Sequence, residues 1–236
     1  IQQVRDRLTG PGSQFWFGSD DFGRDMYSRI VYGARISLYV GILAVTIGTT
    51  SGVVVGIASP YFGGWVDLVV QRVVDALEGF PGLVLALALV TALGASLNNV
   101  VLAIAVALTP RMTRLTRSMA LSVKEEDYIL ASQAIGATSL RIMVRHVLPN
   151  SLAPVIVLAT GYLGTAIVVE AGLSFLGLGV PPPHPAWGRM LQFAARKYQE
   201  EALWLTIFPG AALATTVFGF NLFGDALRDV LDPRLR

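Results

Sequence analysis

The sequence predicts an all-α, polytopic membrane protein, a bundle of apolar helices, and three observations carry that expectation. Hydrophobic residues make up 53% of the 236-residue chain and charged residues only 14%, where soluble domains carry about 25% charged residues. Several uncharged stretches approach or exceed the roughly 20 apolar residues that cross a bilayer as one helix. Gly48, Gly52 and Gly56 recur at intervals of four in "IGTTSGVVVG", a small-residue stripe of the kind that lets helix backbones approach in lipid, where no hydrophobic push brings helices together. The stripe is expected to pack within the chain rather than against a second copy.

Each element follows in order. The first 35 residues are mixed and polar, with turn formers in Thr9–Asp25. Asp21 is the expected cap of a helix running from Gly23 toward the membrane. A first span covers Ile36–Ala58, and "SPYFGGW" (Ser59–Trp65) turns the chain. The next helix is amphipathic over Asp67–Phe80 and apolar from Pro81 to Leu93. After the turn "GASLNN" (Gly94–Asn99), a third span runs from Val100 to about Thr109. A polar insert fills Arg111–Asn150, and a fourth span covers Ser151–Val169. The stretch Leu173–Met190 cannot be helical throughout, because Pro181, Pro182, Pro183 and Pro185 interrupt it. A fifth span, Ala202–Gly224, precedes a charged tail. Five spans are expected. The arginines divide almost evenly between the two sides, so basic-loop counting leaves the orientation open.

Composition excludes several function classes. There are no cysteines, hence no disulfides, thiol nucleophile or thiolate metal site. His146 and His184 lack a second ligand at metal spacing. Neither lysine, Lys124 or Lys197, follows a glycine, so the chain has no phosphate-binding GxxxxGK[ST] loop. A net charge of +2 gives no footing for nucleic acid. An enzyme is not expected, and the one partner that composition implies is the lipid bilayer. An ion-coupled carrier would need ionisable groups near the midplane; Arg72, Asp75, Glu78 and Glu170 all lie near expected helix ends. Arg72 and Asp75 are spaced to pair with each other. Asn221, inside an apolar helix, suits either an interhelical hydrogen bond or the lining of a pathway.

The insert is the informative stretch. Glu125, Glu126 and Asp127 crowd the start of a short helix, where carboxylates complement the helix dipole. Gly136 ends that helix, and Thr138 or Ser139 caps a second one, Leu140–Leu148, closed by Pro149. Two short helices in a V present small side chains, Ala131 and Ser132 among them. Such an element serves either as an amphipathic loop on the membrane surface or as a docking element.

At these residues the sequence resembles a known family. "LASQAIGATSLRIMVRHVLPN" (Leu130–Asn150) is similar to the EAA loop of permease subunits of binding-protein-dependent ABC importers, with Gly136 on the motif glycine and Leu148–Pro149 on the closing LP. Leu130, Ser132 and His146 depart from the general pattern, and the "RHVLPN" ending is typical of the dipeptide, oligopeptide and nickel branch. "GSDDFGRDMYSRIVYGARISLYVG" (Gly18–Gly41), "YFGGWVD" (Tyr61–Asp67), "EAGLSFLGLGVPPPHPAWGRML" (Glu170–Leu191) and "NLFGDALRDVLDPRLR" (Asn221–Arg236) resemble the DppC/OppC-like member of the permease pair.

The resemblance implies the transmembrane domain of a type I ABC importer, with a sixth span expected ahead of Gly18. Residues 1–35 would form an extracytoplasmic segment and lead-in, and 36–236 the transmembrane domain with a cytoplasmic coupling loop at 111–150. Implied partners are a paralogous DppB/OppB-like permease, two ATPase subunits that bind the ATP and Mg²⁺, and an extracytoplasmic binding protein. The location implied is a bacterial or archaeal cytoplasmic membrane. Ala131, Ser132, Gly136, Ala137, Leu148 and Pro149 would couple to the ATPase. Arg72, Asp75 and Asn221 are candidates for lining the pathway, and Trp187 and Arg189 for contacting the binding protein. Di- or oligopeptides are the expected cargo, with nickel, glutathione or another small solute as the alternative. A standalone carrier or channel is the alternative of a different class.

Overall fold

A computed structural model describes residues 6–198 and 200–231, and those residues form helices joined by short turns. Helix α1 spans Met26–Phe62, α2 Gly64–Glu78, α3 Gly82–Leu93 and α4 Leu97–Lys124. Helices α5 (Asp127–Ala134) and α6 (Ser139–Ile142) form the insert, and a π-helical turn at Met143–Val147 leads into α7, Leu148–Phe175. Helix α8 covers Trp187–Lys197 and α9 Trp204–Leu231. All five expected spans fall on helices. Among the described residues, three helical runs are long and apolar enough to cross a membrane alone: α1, Ser139–Phe175 and α9; a fourth forms if α2 and α3 count as one broken span. The expected third span is the apolar first half of α4.

Four local expectations need correction. Asp25, not Asp21, caps α1: its carboxylate accepts from the Ser28 backbone N–H at 2.9 Å. The preceding turn is organised by Asp20, whose Oδ1 accepts from the Phe22 and Arg24 amides, both at 2.9 Å, so the helix starts only beyond that turn. The helix expected from Asp67 to Leu93 is instead broken by 96° between α2 and α3. Pro81, which has no N–H to continue the ladder, stands in extended conformation as the N-cap of α3. Helix α4 does not stop at Thr109. It runs through Pro110 to Lys124, so Arg111–Lys124 extends a span and the insert proper begins at Glu125. Finally, Pro149 does not end a helix but lies in the first turn of α7.

Glycines set the packing. Helices α1 and α4 run parallel: an added Cβ on Gly48 would meet the Ala105 carbonyl at 2.8 Å, and one on Gly52 would meet Met112 Cβ at 2.6 Å. One on Gly56 would collide with Thr116 Oγ1 and the Thr113 carbonyl. The stripe therefore packs within the chain. The Thr116 hydroxyl donates across the seam to the Gly52 carbonyl at 3.1 Å. Helix α7 runs antiparallel to α1, with Ile167 against Gly41, and antiparallel to α9, where Val217 faces Gly164.

Glu170 lies fully buried in the α1–α7 contact. Ser37 of α1 donates to one carboxyl oxygen at 3.0 Å and Ser174, one turn along α7, to the other at 2.8 Å. It is a structural clasp, and its truncation should be felt. Glu170→Ala leaves two hydroxyls unpaired beside a void, which costs on the order of 3 kcal/mol. Glu170→Gln can still accept from one serine and donate to the other. The alanine variant is expected to melt well below wild type in detergent and the glutamine variant close to it; equal melting temperatures would remove the clasp.

Candidate functional site: a bent insert continuous with a span

The insert sits on the ends of α1 and α4. Ile129, Ile142 and Val147 are buried there with Ile57 and Ala120, forming a small core of their own. That core fixes the V, because α5 contributes only Ile129 to it and α6 only Ile142.

The bend has a specific chemistry. Gly136 adopts φ +87°, the left-handed region where a Cβ is penalised. Its N–H donates to the Gln133 carbonyl at 2.9 Å and that of Ala137 to Ser132 at 3.0 Å, the paired bonds of a Schellman motif, which satisfy carbonyls left open at a helix end. Thr138 then caps α6, its hydroxyl facing the Arg141 N–H at 3.4 Å. Of the predicted coupling residues, Ala131, Gly136 and Pro149 are exposed, and Ser132, Ala137 and Leu148 half-buried.

Around them four large apolar side chains reach the surface among exposed polar ones such as Gln133, Arg141 and Arg145. Ile135 is 87% exposed, Leu140 67%, Val144 57% and Leu130 52%. Sequence reading fixed on the small residues and passed over these large ones, although all four stand in the quoted motif.

The joint to α7 explains how Pro149 is accommodated. In the π turn the Leu148 N–H reaches back five residues to Met143, so the ladder is already widened where the proline's missing N–H falls. The Asn150 side chain donates to the His146 carbonyl at 2.7 Å and lies 3.4 Å from the Tyr128 hydroxyl on α5. Helical structure thus runs from Ser139 to Phe175 without interruption.

Of the pathway candidates, Arg72 and Asp75 meet as their spacing predicts, and Asn221 does not join them. Asp75 is paired with Arg114 of α4 at 2.7 Å and, loosely, with Arg72 at 3.8 Å. Arg114 also holds Glu78 at 2.8 Å, and Arg117 grips Asp67 with two nitrogens. These pairs lash α2 across α4. Asn221 stands apart on α9, its side-chain oxygen over Gly164 of α7. Beside the α2–α3 break lies a cavity of about 510 Å³, lined by Glu78, Arg111, Tyr162 and Thr165 among others; of these, only Glu78 was weighed from sequence.

At the opposite end of the bundle, Trp187 is buried at 2% exposure, its indole N–H donating to the Ile30 carbonyl at 2.9 Å. The structure places it as the pin that seats α8 on α1, out of reach of a docked protein. Arg189 borders a cavity between α8 and the Asp20–Arg29 segment.

This architecture has known counterparts. The chain is similar to the dipeptide transport system permease protein DppC of Alkalihalophilus pseudofirmus, with 48% identity over 231 residues, 98% of this chain and 76% of the relative. It is 43% identical over 227 residues to the glutathione transport system permease protein GsiD of Shigella sonnei, covering 96% and 75% of the two chains. In structure it resembles a chain of the MetNI methionine ABC transporter in an inward-facing conformation, with a TM-score of 0.71 at 20% identity over 88% of this chain and 98% of that one. An amino acid ABC transporter chain matches with a TM-score of 0.65 at 16% identity, covering 86% and 94%. At such identities the fold alone is shared, that of an ABC importer's transmembrane subunit. The profile of the family described as the binding-protein-dependent transport system inner membrane component matches residues 48–236, and the chain, an all-helical permease with its bent insert inside that range, belongs to that family.

Proposed function

We propose that this chain is a non-catalytic transmembrane subunit of an ATP-driven importer of di- or oligopeptides in a bacterial inner membrane. It works with a second, paralogous permease, two ATPase subunits that bind ATP and Mg²⁺, and an extracytoplasmic binding protein. The observation that carries the reading is the exposed apolar tip of the insert, Leu130, Ile135, Leu140 and Val144 around Gly136, joined without a break to a span. Closure of the ATPase pair would move the seated tip, and α7 would convey that movement to the bundle, biasing it between inward-open and outward-open states. The end bearing α5 and α6 then faces the cytoplasm.

Peptide cargo is supported by the relative named for dipeptide transport. The glutathione relative supports a second reading in which the cargo is that γ-linked tripeptide. Reconstitution of the full complex in liposomes separates these: ATP-dependent uptake of dipeptides, dependent on the binding protein, is expected. Solute movement by this chain without ATPase subunits would instead make it a carrier or channel.

The tip itself is open to a direct test. Ile135→Asp puts a charge where a partner is expected and touches no buried core. It is expected to weaken association with the ATPase subunits at least tenfold, about 1.4 kcal/mol, with the melting temperature of the isolated subunit unchanged. Undiminished co-purification would take the docking surface elsewhere.

A further inference from the structure

A cavity of about 330 Å³ opens at the end of the bundle opposite the insert, between the Asp20–Arg29 segment, the proline loop and α8. Its lining combines three arginines, Arg24, Arg29 and Arg189, with apolar Met26, Met190, Phe193 and Leu205. By bonding to Ile30, Trp187 holds α8 against α1, so that Arg189 and Arg29, remote in sequence, border one space.

The charges lining the cavity do not balance. Asp20 is the only carboxylate lining the cavity among the described residues. It is engaged by Arg24 at 2.6 Å and by Arg29 at 3.4 Å, while its other oxygen holds two backbone amides. Asp25, on the adjoining groove, is committed to capping α1 through Ser28. Asp21 lies close by; burial and the charge of Asp20 push its carboxyl above the ordinary range, against the pull of Arg24, Lys197 and Arg7. His184 completes the polar rim. Two guanidinium N–H groups, Nε of Arg29 and Nε of Arg189, are buried with no hydrogen-bond partner among the described residues. Guanidinium groups match carboxylates in geometry as well as charge.

We propose that this cavity binds the free C-terminal carboxylate of a peptide, with the last side chain among its apolar lining residues. Size and shape select that occupant. The volume is near the lower limit of ligand pockets, about 300 Å³, so it takes a terminal residue rather than a whole peptide. An acidic side chain from a docked protein would satisfy the arginines but leave Met190, Phe193 and Leu205 facing an unfilled space. A C-terminal leucine or phenylalanine carries the carboxylate and the apolar branch on the same carbon. The site would hold cargo at the extracytoplasmic mouth after its release, one residue deep and blind to the rest of the sequence. The proposal rests on the peptide-import reading.

The test uses the purified permease–ATPase complex in nanodiscs and two probes, N-acetyl-Ala-Leu with a free C-terminus and its C-terminal amide. Isothermal titration on the wild-type complex is expected to show saturable binding of the acid and at least tenfold weaker binding of the amide. Arg189→Met is expected to bring the acid down to the level of the amide, and Arg189→Lys, which keeps the charge but loses the fork, to fall between. Equal binding of acid and amide by wild type overturns the proposal without reliance on any variant. So does displacement of the acid by glycerol 3-phosphate at equal concentration, which would make the site one for phosphate, or an effect of Arg189→Met confined to binding-protein affinity. Uptake measured in parallel keeps the two readings apart: peptide uptake with no acid preference sinks this site alone, and acid preference without uptake sinks the import reading alone.

Discussion

Gly136→Val is expected to abolish ATP-driven uptake while leaving the protein folded and in the membrane. The reason is backbone conformation rather than crowding. A Cβ on Gly136 would meet nothing within 4 Å, yet the residue holds φ +87°. An ordinary L-residue there pays about 1–2 kcal/mol, and a β-branched one is a true outlier. The cheapest relief is to abandon the two Schellman bonds and continue or fray α5, which redirects Leu130 and Ile135 on one arm of the V relative to Leu140 and Val144 on the other. The buried anchors Ile129, Ile142 and Val147 lie away from the bend, so the bundle itself is spared. The series should be graded: Gly136→Asn close to wild type, because asparagine tolerates the left-handed region, Gly136→Ala partial, Gly136→Val inactive. Uptake and binding-protein-stimulated ATPase activity in proteoliposomes read the outcome. Should stimulated ATPase activity survive intact in the valine variant, the bend is not the coupling element.

That bend was legible because its chemistry is local. Carboxylates at the start of α5, a glycine at its end, and a threonine two residues on to cap α6 are read within a dozen residues, and the structure puts Gly136 and Thr138 in those roles. The glycine stripe was legible for a similar reason, since spacing by four fixes one helical face whatever the partner. Length was harder. Pro149 looks like a terminator from sequence, but a π turn just before it removes the hydrogen bond that proline would have broken, and nothing in the local composition signals that turn. Arg114 and Arg117 look like part of a loop for want of their partners: Asp67, Asp75 and Glu78 come from another helix and let α4 carry these arginines onward as helix.

Sites assembled from distant segments were the least accessible. Arg189 was picked out as an outward-facing contact, yet its significance depends on Arg29, which shares its cavity only once Trp187 bonds to Ile30. Trp187 itself was a candidate for contacting the binding protein, and only the packing of α8 on α1 shows it as core. Asp75 and Asn221, grouped as pathway candidates by polarity alone, belong to different helix contacts.

Gly56→Leu is expected to prevent the subunit from folding, the largest structural effect of any single substitution on the seam. Gly56 lies on the buried α1–α4 contact, where even a methyl group would overlap Thr116 Oγ1 and the Thr113 carbonyl and come within 3.0 Å of the Arg117 nitrogen. Two of those three atoms are backbone and cannot rotate away, so the helices must separate. Separation would strip Met112, Leu108 and Val45 of their packing and break the Thr116–Gly52 hydrogen bond. Overpacking of a well-filled core costs about 1–3 kcal/mol for a few added methylenes, and loss of the close contact adds to it, because in lipid that contact is what holds the helices together. The sharpest control is the same element in a different place. Gly219 of α9 has nothing within 4 Å of an added Cβ, so Gly219→Ala is expected to be neutral or to stabilise by up to about 1 kcal/mol, the helix preference for alanine over glycine. Gly56→Ala, chemically identical, is expected to lower the melting temperature in detergent, and Gly56→Leu to yield no monodisperse protein. If the two alanine variants melted alike, α1 and α4 would not be held by the glycine stripe, and the parallel pair at the centre of the bundle would need another explanation.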